Sequence, residues 1–127
     1  MISLSLDEVG RVVHTIARGS TSREEIEAYL VELAGVIETA QERWGRCLHL
    51  VDASRLSIRT DPELRCLAGT GIEFHGFEDR VAVVIRSQRS MTMLDRMPSQ
   101  FLTMVFRNRK SALDWLCAGN AGEVEML

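Results

Sequence analysis

The chain has 127 residues, 46% of them apolar and 26% charged, with 18 acids against 15 bases and a formal charge of −3. These values fit a single folded domain and exclude a disordered tail, a collagen-like chain and a low-complexity linker. The acidic balance, with only seven aromatic residues, also argues against a protein that grips nucleic-acid phosphates and stacks bases.

The longest apolar run, Val81 to Ile85, has five residues, against about 20 for a membrane span. Met1 to Glu8 has neither a basic start nor a long apolar stretch, so no signal peptide is read there. Three widely spaced cysteines, Cys47, Cys66 and Cys117, suit reduced thiols better than a disulfide framework. The expected location is cytoplasmic.

Alternation of Ile2, Leu4 and Leu6 predicts a half-buried strand over residues 2–6. A turn at 7–10 leads to a second strand over 11–17, paired with the first as an antiparallel hairpin. Thr21 with Glu24 and Ser22 with Glu25 form overlapping capping boxes. Ile26, Leu30, Leu33, Ile37, Ala40 and Trp44 follow at steps of three or four, predicting a helix over 22–44 that Gly45 closes.

The run Cys47 to Val51 reads as a strand covered on both sides, and Asp52-Ala53-Ser54-Arg55 as the loop leaving it. Asp61-Pro62 opens a second helix to about residue 73. Arg80 to Ile85 is the strongest strand signal in the chain. Ser90 to Met97 is a short amphipathic helix stopped before Pro98. Residues 101–106 form a last strand. Asn108 caps a final helix with Ala112, Leu113, Trp115 and Leu116 inward. The expected fold is α/β, in the order β-β-α-β-α-β-α-β-α, with a mixed, mostly parallel five-stranded sheet packed with helices. One domain covers residues 1–118, and 119–127 form a flexible tail. Trp115 is expected to be substantially buried on the sheet.

Phe74-His75-Gly76-Phe77-Glu78-Asp79-Arg80-Val81-Ala82-Val83-Val84 and the ending from Phe106 to Leu116, with its Ala112-Leu113-Asp114-Trp115-Leu116, resemble the SpoIIAA-like family. That family belongs to the STAS group of anti-sigma-factor antagonists and shares some architecture with CRAL-TRIO lipid binders. The resemblance spans about residues 2–117 and implies a bacterial binding or regulatory domain. Phosphorylatable STAS proteins place a serine after an aspartate at the head of the helix following the central strand. Here the matching stretch is Thr60-Asp61-Pro62-Glu63. Pro62 has no hydroxyl, so the serine switch does not carry over.

No catalytic centre is expected. His14, His49 and His75 show no ligand spacing with the cysteines, so no metal is read. Cys47 and His49 share a strand face as core residues. Ser54 stands in no nucleophile elbow, and Gly69-Thr70-Gly71 lacks the lysine of a phosphate loop. No cofactor is implied.

Charge placement is more informative. Residues 80–110 hold seven bases against Asp95 alone, a balance of +6, and the bases of the whole chain are 14 Arg to one Lys. A GC-rich coding bias accounts for the arginine excess. A sharper reading is that guanidinium groups bind a carboxylate, a phosphate or an acidic partner. Ligands of open α/β sheets sit beyond the carboxyl ends of parallel strands. Asp52, Ser54, Arg86, Ser87, Arg89, Arg107 and Asn108 fall there, with Met91 and Met93 on the short helix beside them. Methionine adapts to varied apolar partners.

Two functions follow from these residues. The first is a non-catalytic regulatory module acting through contacts with a protein partner. The second is a binder of a small anionic ligand or lipid headgroup at the basic rim. Self-association as a homodimer is compatible with both. A ligand binder calls for a cavity of at least about 300 Å³, whereas a partner-binding module calls for a flat or Met-lined exposed patch.

Overall fold

The computed structural model describes residues 1–56, 79–86 and 102–125. Within them the chain runs β1 (Ile2–Asp7), β2 (Val12–Gly19), α1 (Arg23–Trp44), β3 (Leu48–Leu56), β4 (Arg80–Val84), β5 (Leu102–Phe106) and α2 (Arg109–Glu125). The strands form one sheet in the order β1-β2-β3-β4-β5. β1 pairs with β2 antiparallel, and the three remaining pairs are parallel. This is the mixed α/β sheet expected from the sequence. The helices read at 61–73 and 90–97 lie outside the described residues.

The hairpin is closed by Asp7, whose Oδ1 accepts the N–H groups of Val9 and Gly10 at 3.1 and 3.0 Å. A Cβ on Gly10 would stand 2.8 Å from Asp7 Oδ2, so a larger residue there would have to push the Asp7 carboxylate aside. α1 starts where its capping pattern says, with Ser22 Oγ accepting the Glu25 N–H at 3.1 Å. The Glu25 carboxylate does not return to the cap as a capping box would have it. It accepts the Ile2 N–H at 2.9 Å and so ties the helix to β1. Gly45, at φ 81°, ends the helix in the left-handed region that favours glycine.

The sheet has two unlike faces. One packs α1 through Tyr29, Leu33, Ile37 and Ala40 onto Val13, Ala17, Val51, Val81 and Val83. The other packs α2 through Ala112 and Leu116 onto Val12, Leu48, Leu50, Ala82 and Val84. The inward stripe of α1 is turned toward Tyr29, because the tyrosine hydroxyl finds Thr15 Oγ1 at 2.9 Å, which in turn meets His49 Nε2 at 2.8 Å. His49 and Cys47 are buried in this core, where burial, reinforced by the Asp79 charge, pushes the Cys47 thiol far above its ordinary value.

Two boundaries differ from the sequence reading. β3 continues through Asp52-Ala53-Ser54-Arg55 to Leu56, where a loop was expected. α2 runs to Glu125, into the stretch expected to be a tail; no proline stops it there. Trp115 is partly buried and packs on the α2 face of the sheet, where the sequence placed it. It lies at the rim of the α2 face against Phe106, ring centroids 5.6 Å apart, with the Arg80 guanidinium 5.5 Å over its ring. Among the described residues, no helix is long and apolar enough to cross a membrane.

At the amino end of the parallel strands, Asp79 is 2% exposed. Its two oxygens accept the Cys47 N–H and the Gln41 side-chain amide, both at 2.8 Å. One carboxylate thereby ties the end of α1 to the starts of β3 and β4.

The packing gives a direct test of which face of α1 is inward. Leu33→Ala, at a fully buried site, should cost about 2–5 kcal/mol in urea denaturation. Val31→Ser, on a residue 76% exposed, should stay within about 0.5 kcal/mol of the parent.

Candidate functional site

At the carboxyl end of the parallel strands the ladder between β2 and β3 breaks step. Ile16 pairs with Asp52, yet Arg18 pairs with Arg55, so β3 carries one extra residue between them. The cause is local. Asp52 Oδ1 accepts both the Ser54 N–H at 3.1 Å and the Ser54 hydroxyl at 2.6 Å, a side-chain turn that competes with the ladder. An extra residue reverses the side-chain alternation beyond it. Arg55 is thereby brought to the same rim as Arg18.

α2 arrives over this break. Asn108 Oδ1 accepts the Ser111 N–H at 2.8 Å and caps the helix. Acids are favoured in a helix's first turn, and α1 has Glu24 and Glu25 there. α2 has none and opens on Arg109 and Lys110. Arg109 reaches back to the sheet with both ends of its fork. Its Nη1 lies 3.5 Å from Asp52 Oδ2, and its Nη2 donates to His14 Nδ1 at 3.2 Å.

Because Arg109 can only donate, His14 accepts at Nδ1 and carries its proton on Nε2. That nitrogen lies 3.8 Å from Asp7 Oδ2. Burial, and then the Arg109 charge, lower the His14 pKa, with Asp7 opposing.

Together these residues enclose a cavity of about 310 Å³ lined by Ile16, Arg18, Asp52, Ser54, Arg55, Val84, Arg107, Asn108 and Arg109 among others. Of the residues singled out from the sequence, the structure places Asp52, Ser54, Arg107 and Asn108 on this cavity. Arg86 is exposed after the end of β4 and is not among the lining residues. Ser87, Arg89, Met91 and Met93 lie outside the described residues. Arg18 and His14 were not singled out, because β2 was read only as half of a hairpin. Its parallel pairing with β3 makes its carboxyl end part of the rim, and Arg18-Gly19 closing an apolar strand was the available signal.

The histidine contact predicts a pH dependence. His14 binds its proton less readily folded than unfolded, so the unfolded chain takes protons first as pH falls through about 6.5. Stability should hold above that value and decline below it. In urea denaturation between pH 8 and 5, His14→Gln should show a shallower decline than the parent. Parallel curves would remove His14 as the cause.

No family model matches this chain, and no curated protein matches it either. Among solved structures it is similar to an uncharacterised protein of the DUF3478 family from Shewanella loihica PV-4, described as having a SpoIIAA-like fold. The two share 18% identity over 92% of this chain and 93% of that one, with a TM-score of 0.59. At that identity the likeness speaks to architecture alone. The mixed sheet and its end-to-end alignment with that structure give one conclusion: the chain has the SpoIIAA-like fold.

Proposed function

We propose that this protein is a non-catalytic binding module that takes a small anionic ligand at the carboxyl rim of its sheet. The observation that carries this reading is the pairing of Arg18 with Arg55 across the broken ladder, on a cavity that Arg107 and Arg109 also line. Like charges side by side on neighbouring strands destabilise a sheet. Among the described residues neither Arg18 nor Arg55 forms an ion pair, whereas Asp52 is already held by Ser54 and Arg109. An anion between the guanidinium groups would relieve that repulsion and would meet the positive end of α2 as well. The cavity volume sits at the lower end of the range of about 300–1,000 Å³ usual for small-molecule sites, which favours a small metabolite or a headgroup over a dinucleotide.

A protein-contact role has separate support beside β1. Leu4, Leu6, Val31 and Val36 line a shallow groove between β1 and α1, beside a sheet edge whose backbone groups face outward. The two readings use different surfaces, so substitutions separate them.

Inorganic phosphate should raise the melting temperature of the parent chain at low salt, with the rise shrinking as salt is added. Arg55→Gln and Arg107→Ala should each weaken phosphate binding about tenfold or more, the usual worth of a hydrogen bond to a charged group. Val31→Ser should leave phosphate binding unchanged. A parent chain that phosphate does not stabilise would overturn the reading.

A further inference from the structure

The cavity is not a plain anion site, because it contains two acceptors among its cations. Asp52 is half-buried, and its Oδ1 is occupied by the Ser54 N–H and hydroxyl. Among the described residues its Oδ2 has only the Arg109 Nη1 at 3.5 Å, well beyond the about 2.7–2.9 Å of a charge-assisted hydrogen bond. That oxygen can take a further donor. Ser54, having given its proton to Asp52, presents its oxygen as an acceptor only. A bare phosphate would satisfy the arginines but leave both acceptors unfilled, with the Asp52 charge opposing it.

A ligand amine could serve the acceptors, but four guanidinium groups on the same cavity disfavour a second cation. A neutral hydroxyl has no such conflict. Resting on the anion-site reading above, we infer that the ligand is a phosphate ester of a polyol or sugar. Its phosphate lies between Arg18, Arg55 and Arg107, and two hydroxyls of its carbon skeleton donate, one to Asp52 Oδ2 and the other to Ser54 Oγ. Asp52 is then the residue that tells a hydroxylated ester from any other phosphate. Such an arrangement is selective because an ester without the hydroxyl leaves a partly desolvated carboxylate oxygen unpaired.

The test is isothermal titration calorimetry of the full chain with methyl phosphate and with glycerol 3-phosphate, which share the anion and differ in hydroxyl groups. The parent should bind glycerol 3-phosphate about tenfold or more tightly than methyl phosphate. Asp52→Asn should abolish the difference while holding methyl phosphate at least as tightly, since a negative charge has left the cavity. Ser54→Ala keeps the backbone turn onto Asp52 and should narrow the difference, which provides a second variant if Asp52→Asn melts early.

Equal affinity for the two esters in the parent would overturn the inference and leave the anion site standing. So would a preference that survives in a folded Asp52→Asn chain. Failure of both esters to bind would overturn the anion site and the inference together. Vesicles of phosphatidylcholine with phosphatidylglycerol present the same glycerol phosphate group on a lipid. Cosedimentation that soluble glycerol 3-phosphate reverses supports the class with a headgroup as its source. Binding of the soluble ester without cosedimentation supports it with a free metabolite as its source.

Discussion

The carboxylate of Asp52 is the constraint from which the rim of this sheet follows. By taking the Ser54 N–H and hydroxyl on one oxygen, it pulls β3 out of register with β2 and turns Arg55 to the side of Arg18. By facing Arg109 with the other, it draws the start of α2 over the strand ends. A partly buried carboxylate on its own is costly. Here that cost is offset by one turn and one ion pair, and the same two contacts set the shape of the cavity.

The two ends of the parallel strands use acids in opposite ways. Asp79, at the amino end, is buried and bonded to Cys47 and Gln41, so its charge is committed to joining α1, β3 and β4. Asp52, at the carboxyl end, keeps an oxygen with only a loose partner among the described residues. Structural work is concentrated where the strands begin, and openness where they end. That division matches the general tendency of α/β sheets to hold ligands beyond their carboxyl ends.

The strands and α1 were legible because each rests on a local rule. Ile2, Leu4 and Leu6 alternate; Ser22 and Gly45 mark the ends of α1; Val81 to Val84 are β-branched or small in an unbroken run. The end of β3 was not legible, because Asp52-Ala53-Ser54-Arg55 is built of turn-forming residues and reads as a loop. An aspartate turn inside a strand looks the same, in one dimension, as an aspartate turn that ends it. Tyr29 was missed as a core residue for a related reason. It stands four residues before Leu33 on the same helical stripe, but a tyrosine hydroxyl suits the core only with a partner, and that partner, Thr15, is fourteen residues away on another element. On the rim, Asp52, Ser54, Arg107 and Asn108 could be located because they follow recognisable strands. Arg18 and Arg55 could not be brought together without knowing that β2 and β3 are parallel and out of step.

Arg109 and His14 are bonded across 95 positions of sequence, joining the second strand to the last helix. The cavity is likewise walled by residues from both extremes of the chain, so it exists only when the whole sheet has been laid down and α2 has docked on it. A molecule held there would act as a clasp between β2, β3 and the start of α2. Whatever binds only this assembled form adds its binding free energy to the stability of the entire domain. The occupied protein would open as a unit, while the empty one could release α2 from the sheet first.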